Sequence, residues 1–194
     1  MMPGAQGKIV SSDREQLILV DEHDRELGSL SKGECHDGEG VLHRAFSVFV
    51  FDAAGALLLQ QRSAGKRLWP LYWSNSCCSH PRSGETMQVA TRRRLLEELH
   101  LTVEPEFVYK FVYHAKFGEL GSEHELCSVF LARSDREPVA NETEIAAIRY
   151  MAADDIGHEL EASPGEFTPW FRMEWERLNG EFAEMLRRYT EPVS

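Results

Sequence analysis

Apolar residues recur along this chain in two rhythms, one with a period near two and one with a period near 3.6, and together they set the element order. Gln16–Asp21 reads as a short strand. Phe46–Phe51 and Ala56–Arg62 read as two strands joined by Asp52-Ala53-Ala54-Gly55, the residue types of a hairpin turn. Between Gly84 and Leu101 the spacing of Val89, Leu95, Leu96 and Leu99, with Arg93/Glu97 and Arg94/Glu98 four apart, predicts an amphipathic helix. Phe107–Phe117, Glu125–Arg133 and Ile148–Met151 follow as strands. Trp170–Tyr189 then returns to helical spacing, with Pro169 placed where a first turn accepts it. Strands and helices mixed in this way predict one α/β (α+β) domain over residues 1–194, a mixed sheet layered with helices. Residues 1–12 and 190–194 are expected to be loose ends.

The net charge of −11, with no dense basic block, argues against nucleic acid or an anionic membrane surface as the primary partner. An anionic small-molecule substrate would need cations, or a metal, concentrated locally. The longest apolar runs, Ala45–Phe51 and Ala56–Leu59, have strand length and fall far short of a bilayer span. The first eight residues have no charged-then-apolar signal pattern, so a cytoplasmic location is expected. Cys35, Cys77, Cys78 and Cys127 are too few and too irregular for a disulfide scaffold and read as free thiols.

Five groups of residues carry candidate chemistry. His36, His43, His80, Glu123 and Glu125 have the donor types of a divalent-metal site; two residues apart on a strand, the two glutamates would share a face. Scattered histidines with structural roles are the competing reading. In Ser74-Asn75-Ser76-Cys77-Cys78-Ser79-His80-Pro81, Cys77 reads as a small buried hydrophobe. Cys78 reads equally as that or as a thiol poised for proton transfer. Glu97 and Glu98 recur on the helix that Glu85 precedes and could meet a metal, although periodicity alone makes this an ordinary solvated face with intrahelical ion pairs. Lys32, Arg62, Lys66 and Arg94 are dispersed cations that would suit phosphate. Trp170 and Tyr113 are aromatics able to face a cation or to pack in a core.

Taken in order, these residues resemble type I isopentenyl diphosphate isomerase, a branch of the Nudix superfamily. The match runs from Lys32 and His36 through His43-Arg44-Ala45-Phe46-Ser47, Gln61-Arg62, Lys66, and Trp69-Pro70 to the Trp73–Pro81 stretch. It continues through Gly84-Glu85, Arg93-Arg94, Glu97-Glu98-Leu99, Tyr113, Glu123-x-Glu125-x-Cys127 and Phe167-Thr168-Pro169-Trp170. The resemblance implies a Nudix-like mixed sheet between helices, with the segment around His36 closing over the site. It implies that His36, His43, His80, Glu123 and Glu125 bind Mn²⁺ or Mg²⁺, with Zn²⁺ a further candidate. Glu98 would hold Mg²⁺ against a substrate diphosphate gripped by Lys32, Arg62, Lys66 and Arg94. Cys78 and Glu125 would be the acid/base pair, Tyr113 would hydrogen-bond the carboxylate and Trp170 would face a carbocation. The substrate would be a small molecule, isopentenyl diphosphate or dimethylallyl diphosphate, and the protein a monomer or weak homo-oligomer.

The chain departs from the hydrolytic Nudix box, Arg-Glu-hydrophobic-x-Glu-Glu-x-Gly, at three places. Arg94 stands where the first Glu belongs, His100 replaces the closing Gly and Ser79 replaces the leading Gly. A cation in place of a metal-binding carboxylate weakens the competing expectation, a pyrophosphohydrolase of a nucleoside diphosphate derivative. A diphosphate-sensing module without turnover is the third reading, and the Cys78/Glu125/Trp170 set speaks against it.

Overall fold

The computed structural model describes residues 7–193. Its centre is β3 (His43–Phe51), whose side chains are buried on both faces. Along its full length β3 pairs in parallel with β8 (Gly121–Arg133), from His43 opposite Glu125 to Phe51 opposite Arg133. The long β7 (Glu106–Phe117) runs antiparallel to β8 and puts Tyr113 opposite Glu125. On the other flank β6 (Cys77–Ser79) pairs antiparallel with β3, placing Cys78 opposite Ser47. At the start of β3, His43 meets Leu19 of β1 (Gln16–Val20), which pairs in turn with β2 (Glu26–Ser31).

The turn predicted at Asp52–Gly55 forms, with Asp52 N–H donating to the Ala56 carbonyl at 3.0 Å. The two strands it joins then part. β3 and β4 (Leu57–Arg62) share one pair, Phe51 with Leu57, while β4 runs antiparallel to β9 (Ile145–Met151) and, further on, to β5 (Trp73–Ser74). The reason lies in β3 itself, since a strand buried on both faces is claimed on both edges by β8 and β6.

Helices cover both faces. The even-numbered Phe46, Val48 and Val50 pack with Leu95 and Leu99 of α2 (Met87–Leu99), whose N-terminus is capped by the Thr86 hydroxyl. The odd-numbered Phe49 and Phe51 pack on the opposite side with Phe171 and Trp175 of α4 (Pro169–Gly180) and Leu186 of α5 (Ala183–Thr190). The chain therefore folds as expected, as a single mixed-sheet domain between helices.

Several elements differ from expectation. The helix predicted over Trp170–Tyr189 is broken at Glu181–Phe182 into α4 and α5, and bends there so that Leu186 joins the same core. A four-residue α1 (Lys32–Cys35) and a ten-residue α3 (Ala153–Ala162) were not predicted, and neither was β2, whose residues are mostly exposed and lack buried alternation. Expected to be loose, residues 8–10 are tied in by their backbone carbonyls: Asn141 Nδ2 donates to the Lys8 oxygen at 2.9 Å and Arg94 to the Val10 oxygen at 2.7 Å. At the other end Val193 N–H donates to the Ala53 carbonyl, and a Cβ on Gly55 (φ +84°) would stand 2.0 Å from the Thr190 oxygen. The remaining terminal positions of that expectation, residues 1–6 and 194, lie outside the described residues.

Candidate active site

Register alone brings most of the predicted site residues onto one sheet face. Directly opposed residues share a face, as do residues two apart on one strand. The odd-numbered positions of β3 (His43, Ala45, Ser47) therefore lie beside Glu125, Cys127 and Val129 of β8 and, on the other flank, beside Cys78 of β6. Tyr113 and Ala115 of β7 oppose Glu125 and Glu123 and extend the same face. Several of these residues line a cavity of about 270 Å³, bordered by Lys32, His36, Arg62, Lys66, Cys78, His80, Arg94, Tyr113, Glu123, Glu125, Glu144 and Trp170, among others.

The metal-type ligands converge. One donor atom from each of His36, His43, His80, Glu123 and Glu125 lies within 4.8 Å of every other, and the group could hold a metal ion. His36 Nε2 is 3.3 Å from His43 Nε2 and 3.0 Å from Glu123 Oε2, and His80 Nε2 is 3.0 Å from Glu125 Oε1. His43 Nδ1 lies 2.7 Å from the Val41 carbonyl; donating to it leaves Nε2 as the lone-pair nitrogen that faces the cluster. Glu123 Oε2 is buried yet makes no hydrogen bond in spite of its imidazole neighbour. Five such donors gathered within 4.8 Å of one another suit a cation, and three imidazoles with two carboxylates match the borderline divalent metals.

Protonation states follow from burial and neighbours. Burial pushes the His80 imidazole down to about 3, so it is neutral and free to coordinate. For Glu125, burial raises the pKa, but the hydrogen bonds from the His43 and His80 imidazoles outweigh it and hold the carboxyl well below its ordinary range. Tyr113, itself buried, donates its O–H to Glu125 Oε2 at 2.7 Å. Cys78 is the opposite case: burial, aided by the Glu174 charge, pushes its thiol up to about 12. Its sulfur lies 2.7 Å from Asn75 Oδ1, to which it donates, and 3.6 Å from Ser47 Oγ.

The four predicted cations do not behave alike. Lys32 is half-buried, hydrogen-bonds Ser11 Oγ at 2.7 Å, and is pushed down to about 8 by burial together with the nearby Lys66 and Arg94 charges. Lys66 pairs with Glu144. Arg62 donates to the backbone carbonyls of Leu68 and Trp69 at 3.0 Å each and lays its guanidinium 5.2 Å from the centre of the Trp170 ring. Arg94 is buried: its Nη2 lies 2.5 Å from Glu98 and 3.3 Å from Glu144. The Arg94/Glu98 half of the predicted helix pairs is therefore an interior ion pair, whereas Arg93 keeps the outer face with Glu97 at 3.1 Å. Glu98 lies behind Arg94, and its Oε1 makes no hydrogen bond of acceptable geometry.

Trp170 is anchored by its indole N–H, which donates to Ser74 Oγ at 3.0 Å, and its ring meets that of Trp69 edge-on, with centroids 5.2 Å apart. Three residues at the site carry no sequence pattern that points to it. Glu144 balances Lys66 and Arg94, Gly121 lets the His36 backbone approach β8, and Glu174 lies fully buried on α4. His100, which stands where the box has Gly, takes the left-handed backbone a glycine would (φ 54°) and holds the Val139 carbonyl through Nδ1 at 3.0 Å.

The fold and the metal-type cluster fit one class. The family model of the NUDIX domain matches residues 41–171, and the chain is a Nudix-domain protein. DR0079 from Deinococcus radiodurans shares the fold, with a TM-score of 0.65 at 24% identity over 90% of this chain and 99% of that one. So does a MutT protein from Methanosarcina mazei Go1, with a TM-score of 0.61 at 17% identity over 73% of this chain and 95% of that one. Sequence relatives are more specific. Isopentenyl-diphosphate Delta-isomerase 1 of Photorhabdus laumondii is 42% identical over 83% of this chain and 93% of that protein. The isopentenyl-diphosphate Delta-isomerase of Burkholderia multivorans is 43% identical over 84% of this chain and 92% of that protein. The chain belongs to the isopentenyl-diphosphate Delta-isomerase family, the branch of the Nudix superfamily that its motifs resemble.

Proposed function

We propose that this protein interconverts isopentenyl diphosphate and dimethylallyl diphosphate by adding a proton at C4 and removing one at C2, through a tertiary cation at C3. The observation that carries the reading is one cavity lined by a neutral thiol, an ionised carboxylate, a large aromatic and a set of cations. Those are the parts that an allylic proton shift on a diphosphate ester requires. Relatives of the same name at about 40% identity support it.

Lys32, Lys66 and Arg94 bind the diphosphate, and Arg62 braces Trp170 beside it. The substrate anion takes over cations that Glu144 balances in its absence. Cys78 holds a proton at rest and Glu125 does not, so the pair enters the cycle as one donor and one acceptor and exchanges roles in the reverse direction. Tyr113 fixes the Glu125 carboxylate by its 2.7 Å hydrogen bond. Trp170 faces the carbocation; its ring already accommodates the Arg62 cation at 5.2 Å. Enclosure by Trp69, Trp170 and the His36 segment excludes the water that would quench that cation.

His36, His43, His80, Glu123 and Glu125 are the residues that would hold Mn²⁺, Mg²⁺ or Zn²⁺, and such an ion would fix Glu125 in place and lower its proton affinity. Glu98, buried beside Arg94, is the carboxylate assigned to Mg²⁺, which would neutralise charge on the diphosphate.

Phosphorus and proton NMR of isopentenyl diphosphate incubated with the Mn²⁺- and Mg²⁺-supplemented protein tests the proposal. Conversion of the alkene with both phosphorus signals retained supports it. Release of a phosphate monoester or of inorganic phosphate would make the protein a hydrolase instead.

A further inference from the structure

Glu174 is a carboxylate that nothing in the proposed cycle uses, and it lies in the wrong medium for a charge. Its side chain, on the inner face of α4, is 0% exposed, and Oε2 has no hydrogen-bond partner. Burial pushes the carboxyl up to about 8, opposed by its hydrogen-bonding neighbours Ser47 and Cys127 and reinforced by the charge of Glu125. At neutral pH it is predominantly the uncharged acid.

A short chain of contacts leads from this acid to the reacting thiol. The Cys127 sulfur lies 3.4 Å from Glu174 Oε1 and 3.5 Å from Ser47 Oγ, and Ser47 Oγ lies 3.6 Å from the Cys78 sulfur. A hydroxyl has one proton to give. Where Glu174 is protonated, the Cys127 S–H donates to Ser47 Oγ, and the Ser47 O–H is free to turn towards Cys78. Where Glu174 is ionised, it draws the Cys127 S–H to its own Oε1, Ser47 loses that donor, and its O–H is no longer held towards Cys78.

We propose that Glu174 is a positioning residue for the isomerase reaction, a buried acid that acts through the Cys127 thiol to orient the Ser47 hydroxyl so that it donates to the Cys78 sulfur. When Cys78 gives up its proton, charge develops on sulfur, and a donor already aimed there stabilises it without reorganisation. The inference rests on the isomerase reading given above.

Steady-state kinetics of the Mn²⁺-loaded protein, three single variants and one double variant test it. Glu174→Ala lowers kcat about tenfold, the scale of one buried hydrogen bond, and leaves KM unchanged. Glu174→Gln, of nearly the same volume and with an amide donor, restores most of that loss. Ser47→Ala costs about as much as Glu174→Ala, and the two together cost no more than either alone.

The pH profile adds a readout that a merely structural role would not move. In the wild type kcat falls on the alkaline side as Glu174 ionises, and in Glu174→Gln that limb is absent. Other ionisable groups facing Glu174 are Cys78 on β6, Cys127 and Glu125 on β8 and Tyr109 on β7, and all of them remain in the Gln variant. Equal losses in Glu174→Gln and Glu174→Ala, or an unchanged alkaline limb in Glu174→Gln, would overturn the proposal. So would a Glu174→Ala protein with wild-type kcat. Absence of isomerisation by the wild type, measured first in the same assay, would instead remove the isomerase reading on which this rests.

Discussion

Gly121 lies directly against the carbonyl of His36: a Cβ on that glycine, whose φ is +148°, would stand 2.2 Å from the His36 oxygen. The contact docks the metal-type ligand that follows α1, because Ser122 N–H donates to the same oxygen at 3.0 Å. Gly121→Ala is expected to push the His36 segment away from Glu123 and to weaken divalent-metal binding about tenfold or more, the scale at which supporting contacts affect a metal site. Calorimetric titration with Mn²⁺ checks this; wild-type affinity in the variant would show that the close approach does not position His36.

Lys32 gives the substrate site an alkaline limit. Burial and the neighbouring cations lower its pKa to about 8, so the ammonium is present below that pH and lost above it. The value kcat/KM, which reports the free protein, should fall as pH rises through about 8. Lys32→Met should show an affinity about tenfold weaker at neutral pH and lack this contribution. A Lys32→Met protein whose kcat/KM keeps the wild-type value and pH profile would take Lys32 out of diphosphate binding.

Removing the cation from the interior pair exposes its cost. Arg94 and Glu98 side chains are each 3% exposed and 2.5 Å apart. Arg94→Met leaves Glu98 buried without its partner and should lower unfolding free energy by about 3–5 kcal/mol, as expected for breaking a buried pair. Denaturant unfolding measures it, and a loss below about 1 kcal/mol would place the pair in the energetic class of solvent-exposed ion pairs.

Cys78 and Trp170 separate chemistry from binding. Cys78→Ala should reduce turnover by about a thousandfold, the scale of an acid–base group, with metal content and fold intact. Trp170→Phe, which loses the 3.0 Å bond to Ser74 as well as the indole face, should lower kcat about tenfold with little change in KM. A Cys78→Ala protein of near-normal rate, or a Trp170→Phe protein altered in KM alone, would contradict these roles.

Much of the site is readable from residue order, since His43, Glu123, Glu125, Cys78 and Tyr113 lie on strands whose period of two makes facing residues predictable once register is known, and His80 directly follows β6. Register itself was not readable. Parallel pairing of β3 with β8, on which the cluster depends, joins segments about eighty residues apart with no local signal. Glu144, Glu174 and Gly121 escaped notice for a related reason. A carboxylate on a helix or loop and a glycine at the start of a strand look ordinary until packing shows which are buried and what they touch. Periodicity alone makes Arg94 and Glu98 part of an ordinary solvated helix face, because ion-pair spacing is the same inside and outside; burial against Val10 and Glu144 decides the matter. The exposed β2 lacks the alternation that marks a half-buried strand.

The most direct measurement is proton and deuterium NMR of isopentenyl diphosphate incubated in D₂O with the metal-loaded protein. Dimethylallyl diphosphate carrying deuterium in the methyl group formed from C4, with the diphosphate intact, is the result predicted. An unchanged alkene in a folded, metal-loaded sample, or product without solvent deuterium at that carbon, would contradict proton addition from the Cys78/Glu125 cavity.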